Sequence, residues 1–161
     1  MKKIGWGFIG AGSIANRFMT GLVQVPDAYL AAVSSRSYDR AKNFADKHGA
    51  KVYATVEEMI ADENVDIVYV GTPHTVHKEN TLLALSMGKP VLCEKPMAPN
   101  AKLITEMVNF ARDKKTYLME AMWTRFFPAT KKVRTWLEEG RIGKVQFVTA
   151  DFGYYEKEDP S

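Results

Sequence analysis

The strongest constraint on this chain is a glycine turn near its start. Residues 4–9 are an apolar run, Gly10-Ala11-Gly12-Ser13-Ile14-Ala15 follows directly, and Ile14, Phe18, Leu22 and Val25 then recur at helical spacing as far as Pro26. A G-x-G-x-x-A turn between a strand and a helix has a physical reading at each position. Gly10 permits the tight turn, Gly12 lets a pyrophosphate approach the backbone, and the small Ala15 lets helix and strand pack closely. Ser13 and Ile14 fall in the first helical turn, where free N–H groups and the positive end of the helix dipole face an anion. These residues form the expected dinucleotide cradle.

The alternation continues along the chain. Strands are expected at 29–33, 52–53, 66–70, 90–93 and 117–121. Between them lie helical patterns carried by Ala41, Phe44 and Ala45, by a short segment after Thr55, by residues 77–87, and by Leu103, Met107, Val108 and Ala111. Thr55 and Glu58 have the spacing of a capping box, and Gly49 and Gly88 stand where helices stop. Parallel strands joined by helices require right-handed crossovers, so the expected fold is α/β, a doubly wound parallel-sheet Rossmann domain. Its ligands belong at the carboxyl ends of the strands. The dinucleotide-binding domain is expected over 1–121 and a connecting segment with one more helix over 122–143. A strand over 144–155 with no helix after it could be an edge of the same sheet or the first strand of a second, antiparallel domain beginning within 144–161.

Composition removes several alternatives. Twenty-two Lys and Arg oppose 19 Asp and Glu, a net charge of +3 spread along the chain, which gives no clustered footprint for nucleic acid. No stretch approaches 18 uninterrupted apolar residues, and the start of the chain lacks a signal-peptide pattern, so neither a membrane span nor secretion is expected. Cys93 is the only cysteine and cannot form an intrachain disulfide, which points to a reducing, cytoplasmic setting. Set in an apolar strand, it reads as a small hydrophobe.

The dinucleotide is selected at the end of the second strand, where an acidic residue would take the ribose 2′-hydroxyl of NAD. This chain has Ser34-Ser35-Arg36-Ser37 there, with Arg40 one turn on. A guanidinium flanked by hydroxyls suits a 2′-phosphate, so Ser35, Arg36 and Arg40 favour NADP, with NAD the alternative. Ser37 can instead serve as a helix N-cap.

Two more segments fall at strand ends: Gly71-Thr72-Pro73-His74-Thr75-Val76-His77 and Glu94-Lys95-Pro96. With the glycine turn, they resemble the glycine loop, T-P-x-x-x-H segment and E-K-P motif of the Gfo/Idh/MocA oxidoreductases. Residues 120–128, Glu-Ala-Met-Trp-Thr-Arg-Phe-Phe-Pro, look like the dihydrodiol dehydrogenase-like branch, which acts on trans-dihydrodiols and some sugars with NADP. The resemblance implies a protein about twice this length with a C-terminal sheet domain, a second catalytic tyrosine or histidine beyond residue 161, and homo-oligomers. It also implies that Lys95 is catalytic beside the nicotinamide, that Glu94 accompanies it, and that Thr72, Pro73 and His74 lie beneath the ribose and nicotinamide. Trp123 and Arg125 would approach the cofactor, although Trp123 fits packing equally well. For His77, hydrogen bonding between loops and direct cofactor contact both stand open. His74 and His77 lack nearby Cys, Asp or Glu partners, so no metal is expected.

The chemistry of Lys95 is consistent with that role. Removing hydride from an alcohol carbon requires the hydroxyl proton to leave too, and in the reverse direction the same group polarises the carbonyl. The expected function is hydride transfer between NADP and a sugar, polyol or trans-dihydrodiol. The alternative is a non-catalytic regulator that senses NAD(P).

Overall fold

The structure, a computed structural model, describes residues 3–153. Six parallel strands form one sheet: β1 (Ile4–Ile9), β2 (Ala28–Ser34), β3 (Lys51–Tyr53), β4 (Ile67–Val70), β5 (Val91–Cys93) and β6 (Leu118–Glu120), in the order β3-β2-β1-β4-β5-β6. The order reverses between β1 and β4, and a crevice opens there at the carboxyl ends. Helices α1 (Ser13–Leu22), α2 (Tyr38–His48), α3 (Val56–Ala61), α4 (His77–Ser86) and α5 (Ala101–Asp113) supply the crossovers.

Strand alternation sorts the core onto the two faces of the sheet. Phe8, Val33 and Tyr69 pack with Ala15, Met19, Ala41 and Phe44 of α1 and α2. Their sequence neighbours Ile9, Ala32, Val68 and Val70 pack on the other face with Met59, Leu85, Met107 and Ala111 of α3, α4 and α5. Local signals fix the helix ends. Thr55 and Glu58 close a reciprocal capping box on α3, Ser37 Oγ accepts from Arg40 N at the start of α2, and Gly49 ends α2 at φ 68°.

The described residues divide into two compact units after Met122. In the second, a 3-10 turn, Trp123–Phe126, leads into α6 (Pro128–Glu138), which opens on a proline at its first position. The strand expected over 144–155 does not form across 144–153, and residues 154–155 lie outside the described residues. Val145, Phe147 and Val148 have strand-forming side chains, but a strand exists only where a neighbour takes its backbone groups. No strand among the described residues pairs with this segment, and Phe147 and Val148 are 83% and 75% exposed. Phe126 and Phe127 are likewise half exposed and form no core within this unit.

Candidate cofactor-binding site

A groove of about 670 Å³ lies over the carboxyl ends of β1, β2, β3 and β4. Gly10, Ala11, Gly12, Ser13 and Ile14 form its floor, Ser35, Arg36, Ser37 and Arg40 one wall, and Thr72, Pro73, Thr75, Val76, Glu79 and Asn80 another. Its size is ordinary for a cofactor site.

The two glycines of the turn meet different constraints. Gly10 sits at φ 101°, and a Cβ there would stand 2.8 Å from Gly71 O, so only glycine fits between the ends of β1 and β4. A Cβ on Gly12 would meet nothing within 4 Å: its outer side is open space above the start of α1. No side chain caps that helix, and its first N–H groups are left for an anion. Ala15 is fully buried behind the turn. The residues present therefore fit a dinucleotide, with open backbone at Gly12 that would admit a pyrophosphate, and Arg36 and Arg40 stand exposed on the wall beyond Ser35.

The remaining sequence candidates fall into distinct positions. His74 is exposed in a 3-10 turn, His74–Val76, and is not among the residues that line the groove. His77 is 1% exposed and turned away from the groove, with Nδ1 3.0 Å from Pro96 O and Nε2 2.8 Å from Thr72 O. Of its two open roles, the structure shows the bond between loops, tying the segment after β4 to the segment after β5. Glu94 also lies beneath the surface. Its Oε1 accepts from the Tyr69 hydroxyl at 2.8 Å, and its Oε2 accepts from Lys95 N at 3.1 Å. Lys95 itself is exposed, one residue past Glu94. Trp123 and Arg125 belong to the second unit, where Trp123 packs edge-on against Phe127 with ring centroids 5.0 Å apart.

Two residues to which the sequence assigns no site role hold the Lys95 loop. Tyr69, inside an apolar strand, braces Glu94, and Glu120 at the end of β6 accepts from Met97 N at 2.9 Å. Ala54 and Val56 also line the groove. They follow β3, so the strand-end rule could have located them. Burial pushes the Cys93 thiol up to about 11, consistent with an inert core residue. Among the described residues no three potential ligand side chains gather to hold a metal, and no helix is long and apolar enough to cross a membrane.

A family model described as "Oxidoreductase family, NAD-binding Rossmann fold" matches residues 4–122. The chain belongs to the Gfo/Idh/MocA oxidoreductases. Trans-1,2-dihydrobenzene-1,2-diol dehydrogenase of Xenopus tropicalis is 42% identical over 151 residues, covering 92% of this chain and 46% of the relative. The enzyme of the same name from Sus scrofa is 46% identical, with 92% and 45% covered. Among solved structures, KijD10, a 3-ketoreductase from Actinomadura kijaniata in complex with NADP, superimposes with a TM-score of 0.80 at 33% identity, over 89% of this chain and 46% of that one. The chain thus spans about half the length of the relatives it matches, and that half is the NAD(P)-binding one.

Proposed function

We propose that the protein carrying this chain is an NADP-dependent dehydrogenase acting on the CH–OH group of a sugar, polyol or trans-dihydrodiol. The observation that carries the reading is the placement of an exposed Lys95 at the end of β5, next to β4, whose following loop walls the dinucleotide groove. The family resemblance and the names of the relatives supply the substrate class.

When bound, the nicotinamide accepts or supplies the hydride. The chain's own residues do the rest. Gly12 and the uncapped start of α1 hold the pyrophosphate through backbone N–H groups. Arg36 and Arg40, with Ser35, take the 2′-phosphate, because a guanidinium offers a planar fork to phosphate oxygens. Thr72, Pro73 and His74 support the ribose and nicotinamide side of the site. Lys95 Nζ accepts the substrate hydroxyl proton during oxidation and returns it during reduction. Trp123 and Arg125 are assigned to the cofactor by the same resemblance, and a further catalytic group is assigned to residues after 161. The 1–121 segment is the dinucleotide domain, 122–143 the connection, and 144–161 the start of the substrate domain. The lone buried Cys93 fits a cytoplasmic protein, and a homo-oligomer is expected from the family.

Two measurements test this reading. NADPH should bind more tightly than NADH, and Arg36→Ala should weaken NADPH about tenfold while leaving NADH nearly unchanged. Tighter NADH binding by the unmodified protein would overturn the choice of cofactor. In the protein expressed from its whole reading frame, Lys95→Ala should cut turnover by about a hundredfold or more with NADPH affinity within about twofold. Preserved turnover would remove Lys95 from the chemistry.

A further inference from the structure

The hydroxyl of Tyr69 has no packing reason to exist. The Tyr69 side chain is fully buried and sits in an aromatic box, stacked on Phe18 with centroids 4.4 Å apart and planes 10° apart, and tilted against Phe8 at 4.8 Å. Phenylalanine would fill the same box without burying a polar group, which is costly unless that group is bonded. The bond it makes is to Glu94 Oε1, and the other oxygen of that carboxylate accepts from Lys95 N. Burial and the neighbouring Glu94 push the phenol well above its ordinary range, so it remains a donor at every physiological pH.

Gly71 lies between the same ring and the dinucleotide turn, with no room for a side chain on either side. A Cβ on Gly71 would stand 2.7 Å from the Tyr69 ring, and a Cβ on Gly10 would stand 2.8 Å from Gly71 O. Gly10, Gly71, Tyr69, Glu94 and Lys95 therefore form a packed series from the floor of the groove to the lysine. We propose that Tyr69 is a positioning residue: through its hydroxyl it fixes the Glu94 carboxylate, and through Glu94 it fixes the backbone of Lys95 relative to the dinucleotide turn. This deepens, and rests on, the reading of Lys95 given above.

The test uses Tyr69→Phe, which keeps the ring and removes only the donor, in the protein expressed from its whole reading frame. Amide hydrogen exchange, resolved to single residues without cofactor, reads the loop directly. Lys95 N–H should exchange about tenfold faster, while Met97 N–H, held independently by Glu120, should keep its protection. Turnover should fall about tenfold with NADPH affinity within about twofold, and Tyr69→Phe should add nothing in a Glu94→Ala background. An unchanged Lys95 amide in Tyr69→Phe, or a turnover loss that multiplies with that of Glu94→Ala, would overturn the proposal. So would equal loss of protection at Lys95 and Met97, because that is general loosening. The amide measurement is independent of turnover: full activity in Lys95→Ala would defeat the catalytic reading alone, while Lys95 exchange still decides whether Tyr69 holds the loop.

Discussion

Two buried carboxylates in this molecule, Asp62 and Glu94, are built from the same parts and are left in different states. Each is under a tenth exposed, and each accepts from a tyrosine hydroxyl at 2.8 Å and from a backbone N–H. Asp62, just past α3, also takes Asn64 Nδ2 at 2.9 Å and Lys51 Nζ at 3.3 Å, so both oxygens have two donors. Glu94 has one donor on each oxygen, and the backbone group it holds belongs to Lys95, the exposed lysine after β5. A carboxylate saturated by donors from its own neighbourhood serves the fold. One that spends its bonds on orienting a single loop, with acceptor capacity to spare, serves the site.

Removing each carboxylate should separate the two roles. Glu94→Ala should lower turnover about a hundredfold, since small misplacement of a reacting group has effects of that size, and its loss of activity should exceed anything its loss of stability explains. Asp62→Ala should cost about 3 kcal/mol of stability, read as a lower urea midpoint at unchanged slope, with NADPH affinity and turnover per folded molecule as before. If Asp62→Ala lowered turnover per folded molecule as much as Glu94→Ala does, the contrast between structural and positioning carboxylates would collapse.

The contrast also explains what could be read in the sequence. Features settled within one turn of chain were legible: the Thr55 and Glu58 capping box, the left-handed Gly49 after α2, and the open Gly12 at the start of α1. The βα alternation located the loops after β1, β2 and β4, and so most of the groove lining, as well as the loop after β5 that carries Lys95. The Tyr69 to Glu94 bond spans 25 residues and the Met97 to Glu120 bond 23. Both depend on register, with Val70 beside Cys93 and Cys93 beside Glu120 in the parallel sheet. Tyr69 inside Ile-Val-Tyr-Val reads as one more apolar strand residue until that register is known. His77 likewise takes its loop-bridging role from two carbonyls on different segments. Over 144–153, strand propensity was legible and the presence of a pairing neighbour was not, because propensity lies in the residue and pairing in the sheet.

The smallest effect gives the sharpest check on Asp62. Burial alone would raise its pKa, but the Asn64 backbone N–H, the Tyr53 hydroxyl, the Asn64 amide and the Lys51 ammonium together outweigh burial and lower it from 3.8 to about 2. A carboxyl whose folded pKa lies below its unfolded value binds its proton more readily when unfolded. Its contribution to stability is therefore complete above about pH 4 and is lost as pH falls toward and through 2. The shift corresponds to about 2 kcal/mol, which should disappear across that window in the unmodified protein. Asp62→Ala lacks the group, so its stability curve should be flatter over the same pH range by about that amount. Parallel acid curves for the two proteins, measured by urea unfolding at each pH, would show that the donors around Asp62 do not hold it ionised.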